Sequence, residues 1–85
     1  MKEKDLFKLM GLNIRYYRLK KKKTQGDLGF AIGAWQRRIS ELEKGRLNAT
    51  VSQLNKIALA LDIDIMLLFI NKETNATSEC VDSLW

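Results

Sequence analysis

The spacing of apolar residues predicts an all-α fold, with five helices in one compact domain over residues 1–70 and a polar tail over residues 71–85. Apolar residues recur every three or four positions in nearly every segment, which is typical of helices that bury one face. None of the 85 residues is Pro, which would interrupt a helix. A chain of this length buries roughly 60–65% of its unfolded surface, which supports one small core and no second folded unit.

The first predicted helix, from about Lys4 to Lys21, has two apolar faces. The first face is Leu6, Met10, Ile14 and Tyr17. The second face, on the opposite side, is Leu9, Leu12, Tyr16 and Leu19. One face is enough for a small core, so we expect a partner to cover the second. Either the tail folds back onto it through Val81, Leu84 and Trp85, or a second protein binds there.

The second and third predicted helices are short, and a glycine ends each of them. Thr24 is suited to cap the second helix, with Asp27 in its first turn. Gly33 then supplies the left-handed conformation that ends this helix tightly. The third helix runs over residues 36–44, directs Ile39 inward and stops at Gly45.

The fourth and fifth predicted helices follow a loop. Thr50 and Gln53 fit a capping box, in which a Gln lies three residues after the capping Thr. The core residues of the fourth helix are Leu54, Ile57, Ala58 and Leu61. Asp62 stands where a Gly or Asn would end this helix best. Asp64 then caps the fifth helix, Ile65 to Ile70.

Residue types that the chain lacks exclude several classes of function. There is no His, which rules out histidine bases, histidine metal ligands and nucleophiles activated by histidine. The single Cys, Cys80, cannot form an internal disulfide or a thiolate zinc site. Asp62 and Asp64 lack further metal ligands and are more simply a turn residue and a helix cap. We therefore expect no enzyme activity, no metal and no cofactor.

The sequence carries no signal for export or membrane insertion. Residues 1–5 contain two acids and no apolar segment follows them, unlike a secretory signal. The longest apolar run, Ile65 to Ile70, has six residues, whereas a membrane span needs about 20. We expect a cytoplasmic protein that has no membrane partner.

Charge is distributed unevenly along the chain. Residues 1–46 hold 13 bases and 5 acids, whereas residues 47–85 hold 2 bases and 5 acids. This asymmetry suggests that the first half faces a polyanion. A lysine-rich solvated face is the alternative, and charge alone does not decide between the two.

The segment from Thr24 to Gly45 carries a pattern of polar, apolar and glycine positions: Thr24, Gln25, Leu28, Gly29, Gly33, Ile39, Ser40, Leu42, Glu43 and Gly45. In this pattern the chain resembles the lambda-repressor and Cro-like (XRE-type) helix-turn-helix regulators. The resemblance spans Met10 to Phe69, and it is greatest to small restriction–modification controller proteins and compact phage repressors. It implies a five-helix DNA-binding domain of the lambda-repressor type.

Three positions depart from the family pattern in ways that affect the backbone. Gly29 replaces the usual small Ala, and both residues let two helices cross closely. Lys22 and Asp62 each replace a common Gly. We therefore expect the first loop to have its own shape, and Asp62 to be left-handed unless its turn differs.

The resemblance implies that the third helix is a recognition helix that lies in the major groove. Its candidates for base contacts are Gln36, Arg37, Arg38, Ser40 and Glu41. Gln suits adenine and Arg suits guanine as bidentate partners, which favours Gln36 and Arg37. Glu41 either accepts a hydrogen bond from cytosine or holds a neighbouring arginine. The alternative for the adjacent arginines is a solvated face.

A second set of residues is expected at DNA phosphates: Gln25, Lys21, Lys22, Lys23, Trp35, Lys44, Arg46 and Asn48. Gln25 begins the second helix, where its family counterpart binds a phosphate. Trp35 is a poor helix cap, and it either packs on the sugar–phosphate backbone or covers core surface. The resemblance also implies a structural pair between Arg18 and Glu43.

Proteins of this type usually read two half-sites as a dimer. The expected homodimer interface is Ile65, Met66, Leu67, Phe69 and Ile70, whose apolar surface exceeds what one short helix buries within its own subunit. A slightly larger local core is the alternative. The predicted function is a sequence-specific regulator of transcription that binds an inverted repeat in double-stranded DNA. The competing hypothesis is an antitoxin-like or anti-repressor-like interaction module that uses the second apolar face.

Overall fold

The computed structural model describes residues 2–70, which fold into four α-helices and one 3₁₀ helix without a β-strand. In chain order these are α1 (Glu3–Lys20), α2 (Gln25–Ile32), α3 (Gln36–Glu43), α4 (Val51–Leu61) and the 3₁₀ helix (Ile65–Phe69). The all-α prediction is confirmed. The predicted tail, with its expected packing through Val81, Leu84 and Trp85, lies outside the described residues. No helix within residues 2–70 has the length and apolar character that crossing a membrane requires.

The predicted fifth α-helix is instead a 3₁₀ helix. The Asp64 side chain accepts from the Met66 amide at 2.9 Å, and the Asp64 carbonyl accepts from the Leu67 amide at 2.9 Å. The backbone is already extended at Ile70. In an α-helix each amide bonds to the carbonyl four residues earlier, and a segment of five residues can form very few such bonds. The segment therefore takes the tighter 3₁₀ turn, in which the bond spans three residues.

All four α-helices end in the same backbone motif, in which one left-handed residue follows the helix and two amides bond back to it. The left-handed residues are Lys22, Gly33, Gly45 and Asp62. Glycine adopts this conformation without strain, but Lys22 (φ 57°) and Asp62 (φ 56°) pay a steric cost there. Both replacements of a family Gly therefore keep the backbone that Gly would have.

The side-chain caps at the helix starts follow the sequence with one exception. Thr24 and Asp27 form a complete capping box, in which each side chain accepts from the other's amide at 2.9 Å. Thr50 accepts from the Gln53 amide at 3.1 Å, but the Gln53 side chain bonds to Arg38 instead of returning to Thr50. The predicted capping box of α4 is therefore only half formed.

The core lies where all the helices converge. Its largest fully buried apolar side chains are Ile14, Leu28, Ile39, Ile57, Leu61 and Leu68. The second apolar face predicted for α1 is not one exposed surface, because Tyr16 is buried and stacks edge-on against Tyr17 with ring centroids 4.9 Å apart. Leu12 and Leu19 remain about half exposed. A second protein could therefore reach only part of that face.

Two glycines mark close approaches of the backbone. A Cβ atom at Gly11 would lie 2.4 Å from the Leu42 carbonyl oxygen, so α1 crosses the end of α3 in direct contact. At Gly29 a Cβ atom would lie 2.7 Å from the Ala34 carbonyl oxygen. In this chain an Ala at position 29 would require a shift of the turn after α2, whereas Gly fits without one.

Asn13 connects α1 to the end of the described chain. Its side chain is fully buried, and Nδ2 donates to the carbonyl oxygens of Leu68 at 2.8 Å and Ile70 at 3.1 Å. A buried amide without partners would be costly, so these bonds fix the 3₁₀ helix against α1.

Candidate nucleic-acid interface

A tight turn joins α2 to α3 and sets the angle between them. Gly33 is left-handed (φ 73°), and the Ala34 amide donates to the Gly29 carbonyl at 2.8 Å. Leu28 from α2 and Ile39 from α3 are fully buried beneath the turn. This packing leaves the opposite side of α3 facing solvent, which is the arrangement of a helix-turn-helix.

A buried ion pair anchors the end of α3 to α1. Arg18 Nε lies 2.6 Å from Glu43 Oε2, and Arg18 Nη2 lies 3.1 Å from Glu43 Oε1. Both side chains are less than a tenth exposed. Arg18 Nη1 also donates to the Lys23 carbonyl at 2.8 Å, so the same guanidinium holds the loop before α2. The two residues predicted as a pair thus connect three elements.

Gln25 joins this network, which the sequence did not indicate. Its Nε2 donates to Glu43 Oε1 at 3.2 Å, so the carboxylate of Glu43 receives three hydrogen bonds. The Gln25 side chain is half-buried at the first turn of α2. One amide hydrogen and the amide oxygen remain available for further bonds.

The first turn of α2 also carries an acid whose charge is stabilised locally. The backbone amide and the hydroxyl of Thr24 lower the pKa of the Asp27 carboxyl below its ordinary value. The negative charge therefore persists beside the positive end of the α2 dipole. By contrast, burial beside Tyr16 raises the pKa of the Tyr17 phenol, so that side chain stays neutral in the core.

The five predicted base-contact residues fall into different environments on α3. Gln36 and Arg37 are exposed at its start, and Ser40 is half-buried one turn later. Arg38, also half-buried, donates from Nη2 to the Gln53 Oε1 at 2.9 Å, which ties α3 to α4. Glu41 lies 3.6 Å from Arg46, not against Arg37 or Arg38, so the predicted support for those arginines is not formed.

Apart from Gln25, the residues predicted at phosphates lie in the loops that join α1 to α2, α2 to α3 and α3 to α4. Lys21, Lys22, Lys44, Arg46 and Asn48 are exposed, and Lys23 is half-buried. Trp35 is 86% exposed and makes no capping bond to α3. Trp35 therefore does not cover the core.

Comparison with known families identifies the chain. The model of the helix-turn-helix family matches residues 14–68, well over half of its length. The chain belongs to the XRE-type helix-turn-helix family of transcriptional regulators. The matched range begins within α1 and ends within the 3₁₀ helix, so it contains both α2 and α3 and the turn between them.

Several solved structures share this fold. The restriction-modification controller protein C.AhdI from Aeromonas hydrophila is 28% identical over 81% of this chain and 100% of its own, with a TM-score of 0.77. The hypothetical transcription factor NHTF from Neisseria is 27% identical over 86% of this chain and 84% of its own, with a TM-score of 0.77.

A third similar structure is the clp gene regulator ClgR from C. glutamicum. It is 27% identical over 74% of this chain and 82% of its own, with a TM-score of 0.72. The comparison with curated proteins found no match. The family and the fold that the sequence predicted for this helix-turn-helix protein are confirmed.

Proposed function

We propose that this helix-turn-helix regulator binds double-stranded DNA as a homodimer on an inverted repeat, with α3 in the major groove of each half-site. The observation that carries the proposal is the contrast between the two ends of α3. Glu43 is locked at one end by Arg18, while Gln36 and Arg37 are exposed at the other. A recognition helix needs its axis fixed relative to the rest of the domain and its first side chains exposed to the DNA.

We assign base reading to the exposed start of α3. Arg37 is suited to bidentate contact with the O6 and N7 of guanine, and Gln36 to the N6 and N7 of adenine. Ser40 and Glu41 follow one turn later and complete the reading set, and the long, largely exposed contact of Glu41 with Arg46 (3.6 Å) opens when Glu41 meets a base. Arg38 is assigned to positioning, because Gln53 already holds its guanidinium.

The flanking cations are assigned to the DNA backbone. Lys21, Lys22, Lys23, Lys44, Arg46 and Asn48 contact phosphates on both sides of the groove, without sequence preference. Gln25 donates its remaining amide hydrogen to a phosphate beside the start of α2, where the helix dipole also favours an anion. The Trp35 indole N–H donates to the sugar–phosphate backbone of the DNA, close to the start of α3.

The proposed dimer contact is the 3₁₀ helix. Met66 is 62% exposed and Phe69 is 38% exposed, although both are large apolar side chains. Ile65, Leu67 and Ile70 are half-buried beside them and continue the apolar surface. A two-fold contact of this surface with its own copy would remove it from water.

Selection of binding sites from random duplex DNA at near-physiological salt tests the reading function. We expect an enriched inverted repeat with half-sites about one helical turn apart. For the dimer, Met66→Glu combined with Phe69→Ala should give monomers in sedimentation, with Leu59→Ala, on the outer face of α4, as the matched control. Dimers that persist in the double variant would disprove this interface.

A second candidate function is supported by the two half-exposed leucines of α1. Leu12 is 52% exposed and Leu19 is 51% exposed, which offers a partner protein a smaller surface than the sequence predicted. In this interaction-module reading, DNA binding is secondary or autoregulatory. A stable complex with the product of a neighbouring gene, lost in Leu12→Glu and retained in Met66→Glu, would favour it.

A further inference from the structure

Four exposed side chains form one line along α1, here called the α1 stripe: Lys8, Leu12, Arg15 and Leu19. Their spacing of four, three and four residues places them within about 60° of one another around the helix. Leu12 and Leu19 are each about half exposed, and a cation precedes each of them on the line. The stripe therefore alternates positively charged and apolar side chains.

The α1 stripe has contacts to offer on both counts. Neither of its cations pairs with a carboxylate within residues 2–70. Its two leucines keep apolar surface in water, and covering that surface is favourable. A segment that fits the stripe has to supply apolar side chains and carboxylates together.

The last seven residues of the sequence have this composition. Residues 79–85 contain two acids, Glu79 and Asp82, and no base. They also contain three large apolar side chains, Val81, Leu84 and Trp85. The segment is thus opposite in charge to the α1 stripe and similar to it in apolar character.

The described chain ends beside the middle of α1. Asn13 donates to the Ile70 carbonyl at 3.1 Å, and Asn13 is the neighbour of Leu12 on the helix. Eight residues separate Ile70 from Glu79, and when extended they span up to about 30 Å. Leu12 and Leu19 lie only about 10 Å apart along α1. Residues 79–85 can therefore reach both leucines of their own subunit.

The other exposed apolar surface near Ile70 is less suited to an acidic segment. Met66 and Phe69 follow two exposed acids, Asp62 and Asp64. These like charges would repel Glu79 and Asp82 at that surface, whereas the cations of the α1 stripe attract them.

We infer that residues 79–85 dock on the α1 stripe of their own subunit. The apolar side chains of the segment cover Leu12 and Leu19, and Asp82 pairs with Arg15 between them. The docked segment occupies the two leucines that a partner protein would need, so such a partner has to displace it. The inference goes beyond the proposed function, because it requires neither DNA nor a dimer. It concerns a segment beyond the range that the family model matches.

Paramagnetic broadening in the whole 85-residue chain tests the docking. A nitroxide is attached to Ser83→Cys in a Cys80→Ala background, and amide signals are compared before and after the nitroxide is reduced. We expect the amides of Leu12, Arg15 and Leu19 to lose most of their intensity. The amide of Phe30, on α2, should keep its intensity.

Charge reversal identifies the contact. Arg15→Glu should restore the α1 signals, because it places a second acid against Asp82. Adding Asp82→Arg should bring the broadening back. Arg15 is exposed, so these changes leave the core intact. The matched control is Lys56→Glu, which reverses an exposed cation on α4 and should leave the broadening unchanged.

A mixture of ¹⁵N-labelled chain without the nitroxide and unlabelled chain with it separates the possible occupants. Strong broadening of the α1 stripe in this mixture would place the segment on a second copy and overturn docking within one subunit. Full α1 intensity in the nitroxide-bearing chain would also overturn the inference and leave Leu12 and Leu19 to a partner protein. Broadening that persists in Arg15→Glu would overturn the proposed contact. None of these results depends on DNA binding, so the proposed function stands or falls separately.

Discussion

Arg38 and Gln53 join the recognition helix to α4 through a hydrogen bond of 2.9 Å, whereas the neighbouring Arg37 extends into solvent. Two adjacent arginines on one helix therefore lie in different surroundings, one bonded to α4 and the other exposed to solvent. A helical step of one residue turns a side chain by about 100°, which is enough to direct Arg38 toward α4 and Arg37 away from it.

The first prediction separates the two arginines. Arg37→Ala should cost roughly 1–3 kcal/mol of binding free energy and relax the preference at one base pair, because it removes a bidentate contact. Arg38→Ala should leave the selected sequence unchanged and lower the free energy of unfolding by about 1 kcal/mol. Gln53→Ala should lower stability similarly, and the double variant should lose no more than either single one.

Site selection and urea unfolding measure these effects. An altered base preference in Arg38→Ala would show that Arg38 reads DNA directly, against the assignment made from its bond to Gln53.

The second prediction concerns the crossing of α1 and α3. Gly11→Ala places a Cβ atom 2.4 Å from the Leu42 carbonyl oxygen, and the backbone must shift to accept it. We expect a loss of about 1–3 kcal/mol in the free energy of unfolding. Gly26→Ala is the matched control, because the nearest atom to its Cβ is 3.7 Å away and Ala favours helix. Equal unfolding midpoints for the two variants would contradict the close crossing.

The third prediction uses the left-handed end of α1. Lys22→Gly should raise the free energy of unfolding by about 0.5–1 kcal/mol, because Gly relieves the strain at φ 57°. The greater flexibility of Gly in the unfolded chain offsets part of the gain. Lys21→Gly, at φ −86°, removes the same charge without relieving strain and should destabilise the protein. Thermal unfolding of both variants at one pH measures the difference, and a fall in stability for Lys22→Gly would count against the strain.

The fourth prediction concerns the buried ion pair. Glu43→Ala leaves the Arg18 guanidinium buried without its carboxylate and should cost about 3–5 kcal/mol of stability. In a small domain this loss is enough to unfold much of the population. The double variant Arg18→Met with Glu43→Leu should recover most of the loss, because no buried charge remains. If circular dichroism shows Glu43→Ala as stable as wild type, the pair contributes nothing to holding α3.

The elements of the fold followed from local patterns, while several contacts did not. Thr24 and Gly33 mark the ends of α2 in the sequence because caps and left-handed stops depend on neighbouring residues. The bonds of Asn13 depend on carbonyl groups 55 and 57 residues away, which no local pattern reveals. The only local sign of this role is the position of Asn13 among the apolar residues of an amphipathic helix.

In the candidate site, too, some contacts could be predicted from the sequence and others could not. The pairing of Arg18 with Glu43 followed from the family pattern, but the third partner of the carboxylate, Gln25, did not. The 3₁₀ helix could not be distinguished from a short α-helix, since five apolar residues give too little periodicity to decide.

The position of Asn13 and Arg18 on one helix has a mechanical consequence. Asn13 holds the 3₁₀ helix and Arg18 holds the recognition helix, and about 7.5 Å of rigid α1 separates the two residues. In the proposed dimer, the rigid α1 helices then fix both the distance and the angle between the two recognition helices. One extra base pair at the centre of the operator would displace a half-site by about 3.4 Å and rotate it by about 35°. Such a protein would discriminate operators by the number of base pairs between the half-sites. It would bind one spacing and reject spacings that are one base pair longer or shorter.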